Sequence, residues 1–268
     1  MKKIFCLYIF IILSVVLCAQ NHTLTAKRGV IKNGYNFWVY TPHGYDTLQE
    51  RTPMVIFLHG ASLCGNNLDR VRRYGTLHAI EMGRNIPAII VAPQNPGGSW
   101  QPKKIDGVLE WMKTNYKLDT NRIYVIGMSL GCYGTLDFVG TYSEKIAAAM
   151  AICGGTTLKN YDKMSELPLW ILHGTKDRDV PSKYTQVIAN SLKAKNKDTR
   201  LRYDLLPGEN HYTIARILYL KKTYDWLLSH SLKDKDRPVN KSYKITTADL
   251  KNAYSDMSRS TKKPTVKK

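Results

Sequence analysis

A short β-rich run that turns abruptly into a helix is the feature of this sequence that most restricts its fold. In residues 122–134, RIYVIGMSLGCYG, the run stops at Gly127 and helical spacing resumes after Ser129. The two glycines of the pattern Gly-x-Ser-x-Gly let strand and helix pass with no Cβ between their backbones. Such a turn raises the Ser129 hydroxyl above the sheet and aims the first N–H groups of the helix at any negative charge formed there. The stretch therefore predicts a nucleophile together with part of the set of N–H groups that stabilises the negative charge formed in the reaction.

The rest of the chain alternates apolar runs with helical spacing. Continuous apolar runs are typical of parallel strands covered on both faces, and an aromatic, alternating run is typical of a strand near a sheet edge. The aromatic run is 35–40, the apolar runs are 54–58, 88–92, 146–153, 169–172 and 201–206, and helical spacing covers 67–83, 108–112, 183–195 and 212–229. This alternation predicts an α/β fold with a mostly parallel, doubly wound sheet in three layers, α/β/α. Functional groups should gather at the carboxyl edge of the sheet.

The N-terminus has the layout of an export signal. Lys2 and Lys3 precede an apolar run, 4–17, that is too short to span a bilayer comfortably, and Cys18-Ala19-Gln20 follows. We expect residues 1–19 to be a signal peptide that is cleaved after Ala19, so that the protein is periplasmic, secreted or on the cell surface. In the alternative, Cys18 is lipidated and anchors the protein to a membrane, but the preceding leucine is bulkier than that motif prefers.

Charge and composition divide the remaining chain. The 268 residues carry a net charge of +19 and are 43% hydrophobic, which is enough for one α/β domain in residues 20–230. Residues 231–268 contain eleven lysines and arginines, four aspartates and few large apolar residues, so we expect a loosely attached or disordered basic tail. Within it, residues 245–257 could form a helical turn or two against the body. Solvated surface explains the positive charge most simply, and no nucleic-acid recognition motif is present. Nothing in the sequence indicates an oligomeric state.

Three cysteines would remain after removal of the leader, namely Cys64, Cys132 and Cys153. An odd number excludes complete pairing, and the spacing resembles neither a disulfide framework nor a metal site. A bridge between Cys64 and Cys132 is conceivable, but we expect buried free thiols.

A serine hydroxyl needs a base, usually a histidine that a carboxylate holds in one tautomer. Of the seven histidines, His211 lies between the last predicted strand and the last helix, whereas His230 lies at the end of that helix. Asp177 and Asp179 follow the strand before the last predicted one. The chain thus offers the order Ser, Asp, His that this strand–turn–helix arrangement requires. We expect Ser129, Asp177 and His211 to form a catalytic triad, with Asp179 as the rival acid.

These motifs resemble those of the α/β-hydrolase superfamily over residues 35–229. The run 173–181, HGTKDRDVP, is similar to the acid loop of prolyl-oligopeptidase-like and carboxylesterase-like enzymes, and the resemblance places the triad acid on Asp177 rather than Asp179. Residues 59–62, His-Gly-Ala-Ser, resemble the oxyanion loop. The resemblance implies that the backbone N–H of Ala61, or that of Ser62, joins the N–H of Leu130 in binding the oxyanion. It also implies that the histidines preceding glycine at strand ends are structural.

The body of the chain looks most like exported esterases of the feruloyl-esterase, acetylxylan-esterase and polyhydroxyalkanoate-depolymerase type. This resemblance implies ester hydrolysis through an acyl-enzyme, without metal or cofactor, on ester substituents of plant polysaccharides or on small acyl esters. Gln94 and Trp100 are the predicted substrate-binding residues, since an aromatic ring at the carboxyl edge could stack on a sugar or a phenolic group. No long insertion separates residues 152 and 169, so we expect no large lid. The alternatives are a prolyl-oligopeptidase-like peptidase and a non-catalytic, glycan-binding module.

Overall fold

The computed structural model describes residues 22–255, 257 and 263–268, so the predicted leader lies outside the described residues. Strands alternate with helices through most of this part of the chain. The strands are β1 (Thr23–Lys27), β2 (Phe37–Thr41), β3 (Thr52–Leu58), β4 (Ile89–Pro93), β5 (Leu118–Met128), β6 (Ala148–Ile152), β7 (Leu169–Gly174), β8 (Leu201–Leu206) and β9 (Thr265–Lys267). The α-helices are α1 (Thr76–Glu81), α2 (Pro102–Asn115), α3 (Leu130–Tyr142), α4 (Lys183–Ala194), α5 (His211–Ile214), α6 (Lys221–Leu228) and α7 (Thr247–Lys251).

In the part of the chain that the structure describes, the sheet has nine strands in the order β8-β7-β6-β5-β3-β4-β2-β1-β9. Every pair from β8 to β4 is parallel, β2 is antiparallel to both β4 and β1, and β9 is parallel to β1. The predicted mostly parallel, doubly wound sheet is therefore confirmed. Strand order reverses between β3 and β5, and a crevice at the carboxyl end of such a reversal is the usual binding place in open α/β sheets.

Alternate residues of the central strands pack into two separate cores, because successive side chains of a strand point to opposite faces. In β3, Val55 and Phe57 belong to one core, whereas Met54 and Ile56 belong to the other. Helices α1, α6 and α7 cover the first face, and α2, α3 and α4 cover the second. These are the three predicted layers.

Two of the helices predicted from spacing are interrupted. Residues 67–83 form a 3-10 helix, Leu68–Arg72, and then α1, because Gly75 between them has a φ of 84°. Residues 212–229 divide into α5, the 3-10 helix Ala215–Tyr219 and α6, because Leu220 is extended. Apolar spacing persists through both breaks, which is why it predicted single helices.

The described part of the C-terminal segment packs against the body, which was expected of a turn or two within 245–257 but not of a loosely attached tail as a whole. Ile245, Leu250 and Ala253 are buried in the core beneath α6, and α7 lies within the predicted stretch 245–257. Strand β9 extends the sheet beside β1. The few apolar residues of the segment are widely spaced, so their common burial leaves no periodic signal in the sequence.

The connection between β6 and β7 contains one 3-10 helix, Asp162–Glu166, and no large lid.

The cysteines of the described residues, Cys64, Cys132 and Cys153, are free thiols, and the last two are buried. Among the described residues no helix is both long enough and apolar enough to cross a bilayer.

The turn between β5 and α3 depends on two glycines. A Cβ on Gly131 would overlap the carbonyl oxygen of Leu58, and a Cβ on Gly127 would overlap the carbonyl oxygen of Gly131. The obstructing atoms belong to the backbone of β3 and of α3, so they cannot rotate away. The helix can approach the sheet this closely only with glycine at both positions.

We expect Gly131→Ala to destabilise the protein by about 3 kcal/mol or to prevent folding, because the new methyl group overpacks rigid backbone. Urea unfolding followed by circular dichroism would measure the change. Gly107→Ala in α2 is the matched control: its nearest contact would be the Ile31 side chain at 3.9 Å, and we expect it to be neutral or to stabilise by up to about 1 kcal/mol. Equal stability of the two variants would contradict the close-approach argument.

Candidate active site

Ser129 lies at the bend between β5 and α3 in a conformation that few residues with a side chain adopt. Its φ is 58° and its ψ is −121°. Its N–H donates to the Ile152 carbonyl at 2.9 Å, and its carbonyl accepts from the Cys132 and Tyr133 N–H groups. A non-glycine residue at positive φ is held there only where the surrounding structure determines it, and such residues cluster at functional sites.

His211 and Asp177 form a hydrogen-bonded pair. The imidazole Nδ1 lies 2.7 Å from Asp177 Oδ2, and both side chains are buried. The other carboxylate oxygen, Oδ1, accepts from the N–H groups of Asp179 at 3.1 Å and Val180 at 2.8 Å. Asn210 caps α5, so His211 is fixed at the first position of a helix. The acid and the imidazole are thus oriented before any substrate binds.

Asp179, the rival acid, forms no hydrogen bond with the imidazole among the described contacts, although one of its carboxylate oxygens lies within 4.8 Å of a ring nitrogen. Its side chain is exposed, and its Oδ1 lies 3.5 Å from the Tyr212 hydroxyl. It supports Asp177 through its backbone N–H instead.

Behind Asp177 lie two further buried side chains, His173 and Cys153. His173 Nε2 lies 2.8 Å from the Val180 carbonyl and 3.4 Å from Asp177 Oδ2, and its Nδ1 bonds to the Thr185 hydroxyl. Because a carbonyl only accepts, Nε2 carries the proton. Burial lowers the pKa of His173, and burial next to the Asp177 charge raises the pKa of the Cys153 thiol well above its ordinary value. Both residues therefore stay neutral and help to hold the acid loop.

Two groups of three side chains at this site bring atoms that could bind a metal within 4.8 Å of one another. The groups are Cys153, His173 and Asp177, and Asp177, Asp179 and His211. Both share Asp177, whose carboxylate already bonds to His211 and to two backbone N–H groups. We assign no metal ion to either group.

The predicted oxyanion loop lies beside Ser129. A Cβ built on Gly60 would be 3.4 Å from the Ser129 Cβ. Ala61 begins the 3-10 helix Ala61–Leu63 and Leu130 begins α3, and the first N–H groups of a helix have no acceptor within it. Within the described part of the chain, neither of these two N–H groups donates a hydrogen bond. Both are available to an oxyanion.

Four hydrogen bonds help to hold this loop in place. His59 donates from Nδ1 to the Gly60 carbonyl at 2.8 Å and accepts at Nε2 from the Asn95 N–H at 3.0 Å. The Ser62 hydroxyl bonds to the Tyr74 hydroxyl, and Arg70 donates to the Ser62 carbonyl. Burial lowers the pKa of His59 to about 4, so the neutral ring that makes both of its bonds is the form the fold requires.

A cavity of about 520 Å³ opens at the carboxyl edge of the sheet. Ser129 and His211 both line it, together with the oxyanion loop, whereas Asp177 lies behind the imidazole. Most of the remaining wall is apolar or aromatic, with Arg216 and Asp179 as its charged members. The remaining large side chains of the wall are Tyr74, Met128, Tyr212, Tyr219 and Tyr254.

Gln94 and Trp100, the predicted substrate-binding residues, do not line this cavity. Trp100 is only 2% exposed, its ring packs on Tyr35 and His59, and its Nε1 donates to the His59 carbonyl. Gln94 is buried and donates to the Leu63 carbonyl at 2.7 Å. Both therefore support the oxyanion loop from behind, which corrects the prediction that they bind substrate.

The sequence did not indicate the aromatic wall. Tyr74 and Tyr219 stand in stretches whose spacing predicts core helix, and Tyr254 stands in the polar C-terminal segment. Only the adjacency of Tyr212 to His211 could have drawn attention to this part of the wall.

The parallel sheet, the strained serine at its centre and the histidine and acid beyond later strands are the features of an α/β-hydrolase. Comparison with known proteins agrees: residues 103–224 match the Phospholipase/Carboxylesterase family. The chain is 27% identical over 153 residues to a bifunctional acetylxylan esterase/xylanase of Neocallimastix patriciarum and 23% identical over 151 residues to poly(3-hydroxyalkanoate) depolymerase C of Paucimonas lemoignei. These matches cover 54% and 50% of this chain but 22% and 34% of those proteins.

Among solved structures, a thermostable esterase superposes with a TM-score of 0.63 at 22% identity, covering 79% of this chain and 63% of its own. At this identity the likeness shows the fold. The chain therefore has the α/β-hydrolase fold and is similar to esterases with that fold.

We expect stability to fall as the pH is lowered from 7 to 5. An unfolded histidine binds a proton near pH 6.5, whereas folded His59 does so near pH 4, so the stabilisation is complete above 6.5 and is lost as the pH falls towards 4. His59 alone should contribute a loss of about 2 kcal/mol between pH 7 and pH 5. Urea unfolding at the two pH values would measure it.

His59→Asn keeps a donor for the Gly60 carbonyl and removes the titrating group, so it should reduce this pH dependence. The exposed His43→Asn should leave it unchanged. An equal loss in the wild type and in His59→Asn would contradict the assignment.

Proposed function

We propose that the protein is a serine hydrolase of carboxylic esters that acts through an acyl-enzyme. The observation that carries the proposal is that Ser129 and His211 line one cavity while His211 is hydrogen-bonded to the buried Asp177. The leader, residues 1–19, would direct the enzyme out of the cytoplasm, with the catalytic domain beginning at residue 20.

The hydrogen bond to Asp177 decides the role of each imidazole nitrogen. A carboxylate only accepts, so the Nδ1 proton points to Asp177 and the Nε2 lone pair is free to take a proton. In the proposed reaction Nε2 accepts the Ser129 proton as the serine oxygen attacks the ester carbonyl. The imidazolium, steadied by Asp177, then gives that proton to the departing alcohol. Water then attacks the acyl-enzyme while the imidazole takes a proton from it. The carboxylic acid product is released as that proton returns to the Ser129 oxygen.

The negative charge of each tetrahedral intermediate would be bound by the backbone N–H groups of Ala61 and Leu130. Both belong to helix starts, where the helix dipole adds to the hydrogen bonds. Loss of one such donor typically costs about 3 kcal/mol of transition-state stabilisation. The bonds that hold Gly60 and Ser62 keep these donors in place, which is the purpose we assign to the buried His59 and Arg70.

The substrates we propose are ester substituents of plant polysaccharides or small acyl esters. Similarity to an acetylxylan esterase supports the first class. The cavity supports both, since its wall accepts an apolar acyl group and no large lid covers it in the described part of the chain.

Ser129→Ala should abolish hydrolysis of p-nitrophenyl acetate, with a fall of about 10⁵-fold or to the rate without enzyme. Release of p-nitrophenolate would be measured on protein that starts at residue 20, with equal folding checked by circular dichroism. Ser99→Ala, at an exposed serine outside the cavity, should keep full activity. No turnover by the folded wild type would overturn the proposal in favour of a peptidase or a glycan-binding module.

Asp177→Asn should lower kcat by about 10³-fold to 10⁴-fold, because the amide no longer fixes the imidazole in the reactive tautomer. Asp179→Asn should change kcat by less than about fivefold, since its carboxylate forms no hydrogen bond with His211. The same ester assay on both variants decides between the acids. Comparable losses in the two variants would contradict the assignment.

A further inference from the structure

The C-terminal segment supplies one wall of the active-site cavity. Helix α7 is followed by a turn through residues 252–255, and this turn carries Tyr254 to the cavity wall that Tyr219 and Arg216 also form. Tyr254 is 43% exposed, although Ala253 immediately before it is fully buried.

The segment is fixed to the body on both sides of α7. Ile245 and Leu250 are buried in the core beneath α6, and Ala253, one residue before Tyr254, is fully buried. Lys222 of α6 donates to Asp249 at 2.7 Å and to the Lys244 carbonyl at 3.0 Å. Because the backbone is anchored immediately before Tyr254, its ring has a defined position on the cavity.

Tyr254 and Tyr219 together form one aromatic surface. Their ring centroids are 5.0 Å apart and their planes are inclined at 68°. Tyr219 is itself immobilised, since its hydroxyl accepts from the Gly75 N–H at 3.1 Å and bonds to His78 Nδ1 at 2.9 Å. Arg216 has its guanidinium carbon 5.9 Å from the Tyr254 ring and donates to the Leu250 carbonyl. The exposed part of the Tyr254 ring therefore stands on a rigid support.

A ring of this kind is suited to hold another flat, apolar group. Aromatic rings prefer offset or edge-to-face contacts at centroid distances of about 4.5–7 Å, and a partly exposed ring on the wall of a largely apolar cavity can offer such a contact to a ligand. Among the described residues, the ring contacts of Tyr219 are with Tyr254 and with His78.

We infer that Tyr254 is a specificity-determining residue that binds an aromatic ring of the ester substrate against the surface formed with Tyr219. The inference rests on the proposed ester hydrolysis at Ser129. Tyr254 takes no part in the reaction itself, so its effect falls on substrate binding and therefore on KM rather than on kcat.

Three esters distinguish binding of an aromatic ring by Tyr254 from a general effect on activity. Methyl 3-phenylpropanoate carries a ring in the acyl part, 2-phenylethyl acetate carries it in the alcohol, and methyl acetate has none. Tyr254→Ala should lower kcat/KM about fivefold to tenfold for at least one ring-bearing ester, through KM, and leave methyl acetate within twofold. The ester affected tells which part of the substrate lies on Tyr254.

Two variants serve as controls. Tyr254→Phe keeps the ring and should behave as the wild type. Tyr184→Ala removes a tyrosine of similar exposure, 45%, from α4 outside the cavity and should alter none of the three rates. Equal losses on all three esters, or no loss on any, would overturn the inference.

Binding of the two ring-bearing esters to Ser129→Ala protein, measured by calorimetry, tests the same contact without turnover. Adding Tyr254→Ala should weaken binding of one of them by about fivefold to tenfold, and unchanged binding of both overturns the inference. Wild type that hydrolyses none of the three esters would instead count against the proposed function, and the binding result would then decide the inference by itself.

Discussion

The close approach of α3 to the centre of the sheet is the constraint on which the rest of the site depends. Without a side chain at Gly131, the helix start lies against the Leu58 carbonyl, which brings β3 and the loop after it next to Ser129. One steric condition therefore sets two distances, that from the serine to the helix N–H groups and that from the serine to the Ala61 N–H. A methyl group at this point would separate elements that lie far apart in the chain.

Much of the rest of the site is held by backbone carbonyl or N–H groups of loops that follow strands. Asp177 is fixed by the N–H groups of Asp179 and Val180, and His173 donates a hydrogen bond from Nε2 to the Val180 carbonyl. His59 does the same for the oxyanion loop through Gly60. Because backbone groups are always available and cost no side-chain entropy to position, such a network holds polar groups rigidly inside a largely apolar core.

The sequence predicted what depends on local patterns. The strand runs, the mostly parallel sheet and the serine at a strand–helix turn follow from periodicity and from two glycines, and the residues offered as nucleophile, base and acid lie where their strands end. The sequence did not predict the features that depend on contacts between residues of different elements. Trp100 and Gln94 look like site residues because their loop ends at the right edge, yet core packing turns them inward. Tyr254 belongs to a segment whose burial depends on partners in α6, far away in the chain.

The positive φ of Ser129 means that this chain carries a local conformational cost of about 1–3 kcal/mol that a glycine at the same position would largely avoid. At this residue, therefore, the conformation that the proposed reaction needs lowers the stability of the fold. A glycine at this position would suit folding better, so the serine is explained by the proposed chemistry rather than by stability. Thermostable variants should accordingly be sought elsewhere, in the helices and surface loops remote from this bend.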